Sequence, residues 1–510
     1  MDFTDAQAKY IRGEFKLKGQ FNNGGGERET VLDNAERYAG WTLPNIFPDE
    51  NLSESDEMQN DFQSVGAQAV INLSNKITMS LFPAARPFFK MDLSKKQKED
   101  ALEEMDEATV TSTLAAQERE AMKEFATLNG RVTLTNVVQN LMIAGNSCLY
   151  MPPDEKMSNF SLRDYTIKRD LRGNLVKLIL CESKGVDALS DELAALVGEY
   201  GYEHDMEVKL YTCVQRYAKD KYIVWQEIED VGYCHKRVGN ETTDTLPWIP
   251  LTWDLVRGKD YGTGLVESYS GDFHTLSSLA EAILDYTVIL TDVKTLVNPA
   301  GQTDVNDIIE APSGAYVLGV EEDLYVHTPN VSGATDFLEK QFAVVERRIG
   351  VAFLMNSSVT RDAERVTAEE IRMQALELES SLGGVYSRLA EELQLPLAKR
   401  LLVRLDKEFK DIVPIVVTGL ESLSRSSQLD RIRAFFSDLV ALSDVPEEVK
   451  DWIDYAPLIA EIGAGHGVDY SKFLLDKDVA DQRKAERAKH EAAAAGLEAG
   501  AVNQAQNQGQ

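Results

Sequence analysis

Apolar residues recur at helical spacing through most of this chain, and the period changes to alternation in one long central stretch. Residues 4 to 40 read as helix, broken at Gly24-Gly25-Gly26. Val65, Ala69, Leu73, Ile77 and Leu81 share one helical face, and Pro83 and Pro87 end that helix. FFKMDL behind them reads as a strand. Residues 97 to 128 predict a charged helix or helix pair. Val132 to Met142 predicts another helix, which runs into a strand at Cys148–Met151. From about Ser161 to Trp253 the pattern alternates. Val176–Leu180, Val208–Val214 and Tyr222–Ile228 read as strands separated by turns, interrupted by a short helix from Ala188 to Val197.

Helical spacing returns at GTGLVE, Gly262 to Glu267. Leu276, Leu279, Ile283, Tyr286 and Leu290 give the next helix its face, to about Asp292. A Pro- and Gly-punctuated insert follows, with strands expected at Ala315–Leu318 and Leu324–His327. A second helix is expected from Asp336, burying Phe337, Phe342, Val345, Ile349 and Phe353. Two helices of similar length around a small β module suggest a pair of struts carrying a knob.

The stretch Phe353–Leu402 stands out. A polar loop, Ser357 to Val366, carries Arg361 and Arg365. Thr367 with Glu370 forms a capping box, and Val366 with Ile371 a hydrophobic staple. Apolar residues then continue at helical spacing from Ile371 to Leu401. If continuous to Lys407, this helix would be roughly 60 Å long, with bends expected at Gly383-Gly384 and Pro396. Ile412–Thr418 reads as a strand, and Leu429 to about Leu475 as a compact helical segment. The Ala-, Glu- and Lys-rich end reads as a solvated helix and a disordered tail. The fold class is α+β, predominantly helical.

Composition narrows the function. The chain has 510 residues, 43% of them hydrophobic, enough to bury a sizeable core. Its net charge is −31, from 53 basic and 84 acidic residues. A protein that coats nucleic acid is expected to be basic. This chain would repel phosphate except where local cations override its field. Cys148, Cys181, Cys213 and Cys234 form no CxxC pair, which leaves zinc unsupported and fits a reducing compartment. The N-terminus lacks the apolar core of a signal peptide, and no window approaches a membrane span, so folding in a cytoplasm is expected.

Motifs for catalysis are missing. There is no GxxxxGK[ST], HExxH or GxSxG pattern. Gly463–Gly467 is glycine-rich without the spacing of a dinucleotide site. The six histidines are dispersed, and Cys234-His235 reads as a strand pair. No cofactor and no metal are expected. The cations of the polar loop admit two readings: local pairing with Asp362 and Glu364, or sequence-independent phosphate contact. Symmetry decides between them, because a ring of copies would turn single arginines into a circle of charge. The same holds for Lys340, Arg347 and Arg348 on the preceding helix.

Several stretches resemble the portal, or head-to-tail connector, proteins of short-tailed podoviruses of the autographivirus type. They are WTLPNIFPDE, DFQSVGAQAVINLSNKI with the following LFP and PFF, YGTGLVESYSGD, SGAYVLG, FLMNSSVTRDAERVTAEEIR with LGGVYSRLAEELQLPL, and TGLESLSRSSQLDRI. The resemblance implies a ring of about twelve copies around a DNA channel at one capsid vertex. It implies a wing from 1–262 and 357–424, stem helices at 263–292 and 334–356, and a clip at 293–333. A crown at 425–476 and a tail at 477–510 follow. The loop 357–366 would face DNA, with Arg361, Arg365, Arg347, Arg348 and Lys340 as channel candidates. Gly383 and Gly384 would be a hinge of the long helix. Asn298, Asp304, Tyr316 and Tyr325 in the clip would dock the packaging motor (the terminase large subunit) and later the tail adaptor. Wing and crown would meet major capsid, scaffolding and internal core proteins. The expected location is the virion, at the head-tail junction, after assembly in a bacterial host cytoplasm. Two other readings stay open. A nucleic-acid-processing enzyme subunit would show turnover alone, and a non-channel scaffold would form no ring.

Overall fold

The computed structural model describes residues 17–22, 26–49, 61–83, 87–92, 107–153, 155–189, 191–203, 206–291, 294–327, 332–355, 384–405 and 415–417, with isolated positions elsewhere. Its contacts divide the chain into two units, Met1–Ser422 and Leu423–Gln510. Of the second only isolated helical positions are described, so the expected helical segment of 425–476 and the tail lie outside the described residues.

The first unit opens with α1 (Leu17–Asn22), α2 (Gly26–Gly40) and α3 (Val65–Leu81), followed by β1 (Lys90–Asp92), α4 (Glu107–Thr127) and α5 (Gly130–Ala144). The periodicity of α3 is realised: Ala69, Leu73, Ile77 and Leu81 are all buried. They pack on α5, whose Leu134, Val137, Val138 and Leu141 are fully buried. Phe82, Phe88, Phe89 and Phe125 close one end of this core as a chain of edge-on and stacked rings, 4.9–5.8 Å apart.

The alternating stretch forms two antiparallel sheets. In chain order the strands are β2 (Asn146–Tyr150), β3 (Ser158–Phe160), β4 (Tyr165–Arg169) and β5 (Leu175–Gly185). After α6 (Asp191–Gly198) come β6 (Glu207–Ala218), β7 (Lys221–Ile228), β8 (Gly232–Thr242) and β9 (Trp248–Thr252). The order β4-β5-β6-β7-β8 is a meander, and β3-β2-β9 is a separate sheet seated on α5. Alternation sorts the meander's residues. Ile179, Tyr211, Cys213, Ile223 and Trp225 pack under Leu17 of α1, whereas Val208, Leu210 and Ile228 pack with Leu193 and Val197 of α6. The three long strands read from sequence are thus part of a larger system. The short β3 and β4 carry too few apolar residues to be seen beforehand.

The GTGLVE motif has a steric explanation. The chain at Gly262 and Gly264 crosses Gly145 at the end of α5 (φ +71°). A Cβ on Gly264 would lie 2.5 Å from the Met142 carbonyl oxygen, and one on Gly262 2.7 Å from that of Asp254. Asn146 fastens the crossing: its side chain accepts from the Gly262 amide at 2.8 Å and donates to the Gly262 and Ala144 carbonyls at 2.9 Å. From here α7 (Leu265–Ser268) and α8 (Ser270–Thr291) lead out to β10 (Lys294–Val297), α9 (Val305–Glu310) and β11 (Leu324–His327). α10 (Ser332–Ala352) leads back, starting before the expected Asp336. Leu324–His327 is a strand as expected, but its partner is Lys294–Val297. Ala315–Leu318 is irregular and exposed, because a stretch with Tyr316 and Leu318 fully in solvent has nothing to pair with.

The expected long helix is not continuous where it is described. Gly384 adopts φ +89°, ψ 2° and separates helical positions before it from α11 (Val385–Leu389). The backbone widens to a π-turn at Ala390–Gln394, with the Leu395 amide donating to the Ala390 carbonyl, before α12 (Leu395–Leu405). Pro396 accounts for the widening: it has no N–H for the carbonyl four residues back, and its ring crowds that turn. The start of the helix, 367–377, lies outside the described residues. Arg400 and Arg404 anchor α12, donating to carbonyls of Met151 and Thr245, and of Pro152 and Glu155. Finally β12 (Ile415–Val417) pairs with β1.

The glycine crossing gives a direct test. Gly264→Ala should destabilise the protein by about 1–3 kcal/mol, because the backbone must move to admit a methyl group. Gly271→Ala, which meets nothing within 4 Å, should leave the thermal midpoint unchanged or raise it.

Candidate functional site

The two struts α8 and α10 pack against each other, and their seam is apolar at one end only. Phe273 and Leu276 of α8 meet Val345 and Ile349 of α10, and Phe353 just beyond it; Phe273, Leu276, Ile349 and Phe353 are fully buried. The Phe353 ring stands edge-on to Phe273 at 5.6 Å and to Tyr269 at 5.9 Å. Away from this end the seam thins. Ile283 and Tyr286 are half-buried, and Phe337, expected on the buried face, is 60% exposed. Two helices alone have no third layer to cover it.

The exposed faces are patterned. Among the described residues, 14 of the 24 large exposed apolar side chains fall between Leu284 and Val351. On α10, Phe337, Lys340, Val344, Arg347 and Val351 follow one another at helical spacing and are all exposed. On α8, Glu281, Leu284, Asp285 and Val288 do the same. One stripe is apolar and basic, the other apolar and acidic. Arg348 is set apart. Its guanidinium lies 3.1 Å from Asp272 of α8, tying the struts together within one copy. Arg361, Arg365 and Gly383 lie outside the described residues, and Gly384 is the left-handed break already noted.

The knob between the struts is built on Asp323. Its carboxylate accepts from the amides of Gln302 (2.8 Å) and Thr303 (3.1 Å) and from the Thr303 hydroxyl (2.9 Å). That hydroxyl in turn accepts from the Val320 amide at 2.8 Å. A Cβ on Gly301 would fall 2.3 Å from the carboxylate, so only glycine lets the loop close on it. Hydrogen bonding from Thr303, then from the Gln302 amide, holds the Asp323 carboxyl below its usual range. Two of the docking candidates serve this scaffold. The Asn298 side chain accepts from the Ala300 amide at 3.1 Å, and Asp304 caps α9 through the Asn306 amide at 2.9 Å. Tyr316 and Tyr325 are exposed, with Leu318 beside them at 92%. Asp323 is the residue that sequence reasoning missed. A lone Asp among 84 acidic residues carries no signal until the loop closes around it.

Among the described residues no group of three or more His, Cys, Asp and Glu is placed to hold a metal ion. Burial raises the thiol of Cys148 and pushes that of Cys213 up to about 12, so neither is a ready nucleophile. A cleft of about 830 Å³ lies between the meander and the π-turn, with no His, Cys or Ser in its wall. Two of its cations, Arg169 and Arg216, are committed. Arg169 donates to the carbonyls of Gly173, Pro250 and Asp260, and Arg216 pairs with Asp170 at 3.1 Å.

The depressed Asp323 pKa fixes a sign. Its stabilising effect is present above the ordinary carboxylate value, near about 4, and is lost as pH falls through the lower folded value. Asp323→Asn should therefore speed amide hydrogen exchange in 298–323 at neutral pH, and the difference from wild type should close in acid.

Residues 16–474 match the family model described as bacteriophage head to tail connecting protein. The portal protein of Enterobacteria phage SP6 is 33% identical over 90% of this chain and 91% of its own. That of Enterobacteria phage T3 is 33% identical over 95% and 92%, and that of Pseudomonas phage phiKMV 33% over 91% and 93%. A chain from the virion of a native gene transfer agent particle covers 87% of this one at 11% identity with a TM-score of 0.38, too remote to bear on details. With nearly its whole length matched to connector proteins, this chain belongs to the bacteriophage head-to-tail connecting protein family.

Proposed function

We propose that this chain is a structural portal subunit, and that copies of it close into a ring around a channel for double-stranded DNA at one capsid vertex. The observation that carries the ring is the pair of stripes on the struts. The basic-apolar face of α10 (Phe337, Lys340, Val344, Arg347, Val351) complements the acidic-apolar face of α8 (Glu281, Leu284, Asp285, Val288). Two different faces that fit each other make a heterologous contact, and repeated rotation closes it into a ring. Exposed apolar surface concentrated on one arm is the mark of such an interface.

In this reading 1–262 and 357–424 form the wing, 263–292 and 334–356 the stem, and 293–333 the clip, with 425–476 as crown. The clip's exposed Tyr316, Leu318 and Tyr325 offer the apolar anchors that a packaging motor and then a tail adaptor would grip. Asn298 and Asp304 keep the clip folded. Arg361 and Arg365 would present cations to the channel in the 357–366 loop, while Lys340 and Arg347 serve the subunit contact. The acidic bulk of the chain lets DNA slide without adhering. Motor, capsid, scaffolding and core proteins are the expected partners, in a virion assembled in the host cytoplasm. Among the described residues no helix is long and apolar enough to cross a membrane.

Electron microscopy of the purified protein should show rings with a central hole; their absence at every concentration overturns the reading. Lys340→Glu with Arg347→Glu should abolish rings while leaving the subunit folded. Adding Glu281→Lys and Asp285→Lys in the same chain should restore them. Arg361→Ala with Arg365→Ala should leave rings intact and reduce packaged or retained DNA.

A further inference from the structure

The C-terminus of α10 ends in a turn whose pattern normally calls for glycine. The Met355 amide donates to the Gly350 carbonyl at 2.8 Å, and the Leu354 amide to that of Val351 at 3.2 Å. These two bonds make a Schellman motif, which requires the residue between helix and exit to be left-handed. That residue is Leu354, at φ +54°. Leucine rarely adopts this conformation, because its Cβ crowds the following carbonyl oxygen. Something outside the helix must hold it.

The holder is α3. Lys76 donates from Nζ to the Leu354 carbonyl at 2.5 Å. Asn72, one turn earlier on the same face, donates from Nδ2 to the carbonyls of Phe353 and Leu354, each at 3.2 Å. The lysine also places a positive charge at the negative end of α10. The Phe353 side chain, fully buried against Phe273, fixes the residue before the turn. The chain returns to the same helix after the stretch 356–384. Tyr386 donates to the Ser80 carbonyl at 3.3 Å, and Gln394 to that of Leu81. Residues 72 and 80 are about 12 Å apart along α3. The return carries its own left-handed residue, Gly384, where a Cβ would meet nothing within 4 Å. One end of the stretch therefore turns on an unencumbered glycine, and the other on a strained leucine that is clamped.

We propose that Asn72 and Lys76 are positioning residues: by gripping the Phe353 and Leu354 carbonyls they hold Leu354 in the left-handed turn and set the direction in which the chain leaves α10 toward Arg361 and Arg365. Its consequence for DNA passage rests on the portal reading. The clamp itself does not.

The two are tested separately on the full-length protein. Lys76→Met keeps the length of the side chain and removes its donors. In the purified protein it should speed hydrogen exchange at the Leu354 and Met355 amides by about tenfold, with the thermal midpoint little changed. Adding Leu354→Gly should bring the rate back, since glycine takes the left-handed turn without help. In assembled particles Lys76→Met should lower packaged DNA several-fold, and the double variant should recover it. Wild-type exchange in Lys76→Met, or no recovery in the double variant, overturns the clamp. Faster exchange with undiminished packaging overturns the positioning role and leaves the portal reading standing. Failure of the wild type to form rings or support packaging overturns the portal reading, while the exchange arm still judges the clamp. If Lys76→Met fails to fold, Asn72→Leu alone and with Leu354→Gly provides the same pair of measurements.

Discussion

Two helices lying side by side can bury only the faces they turn to each other. α8 and α10 meet this limit. Their seam is full at Phe273, Leu276, Val345, Ile349 and Phe353, where α3 and α7 supply further layers, and it thins beyond. Phe337, Val344 and Val351 on one strut and Leu284 and Val288 on the other remain exposed. A strut built this way leaves apolar surface uncovered, interleaved with basic residues on α10 and acidic residues on α8.

The α3–α5 core supplies what the struts lack, a rigid origin for both. α8 departs from a backbone crossing so close that Gly145, Gly262 and Gly264 have no room for side chains. α10 arrives at a turn pinned by α3. Both anchoring points rest on the α3–α5 core, so departure and arrival share one foundation. Gly384 and the π-turn before Pro396 then let the returning chain change direction twice and still end on α3 and on the Arg400 and Arg404 anchors.

Cations are outnumbered in this chain, 53 against 84 acidic residues, and many described ones work as structural donors. Arg28, Arg131, Arg169, Arg400, Arg404 and Lys76 all point at main-chain carbonyls of distant segments. A guanidinium can satisfy several carbonyls at once, which suits the irregular connections between helices and sheets. Against that background the exposed Lys340 and Arg347 are conspicuous. Their neighbours on the same face, Phe337, Val344 and Val351, are apolar and exposed.

The sequence alone determined the parts with strong local period. The faces of α3 and α5, the long strands of the meander, and the helix–β–helix order of the struts follow from spacing, because burial on one face imposes it. The resemblance in WTLPNIFPDE, YGTGLVESYSGD and the Phe353–Leu397 stretch already pointed to the connector family. Tertiary structure decided what depends on distant partners. Leu354 looked like one more apolar helix residue, and only the donors of Asn72 and Lys76 make its left-handed turn tenable. Asp323 became a hub once Gly301 allowed the loop to close. Phe337 kept the period of a buried residue yet lies in solvent, because periodicity reports which residues share a face and says nothing about what covers that face. In this protein much of the cover is supplied by the fold of other segments, which no local period records.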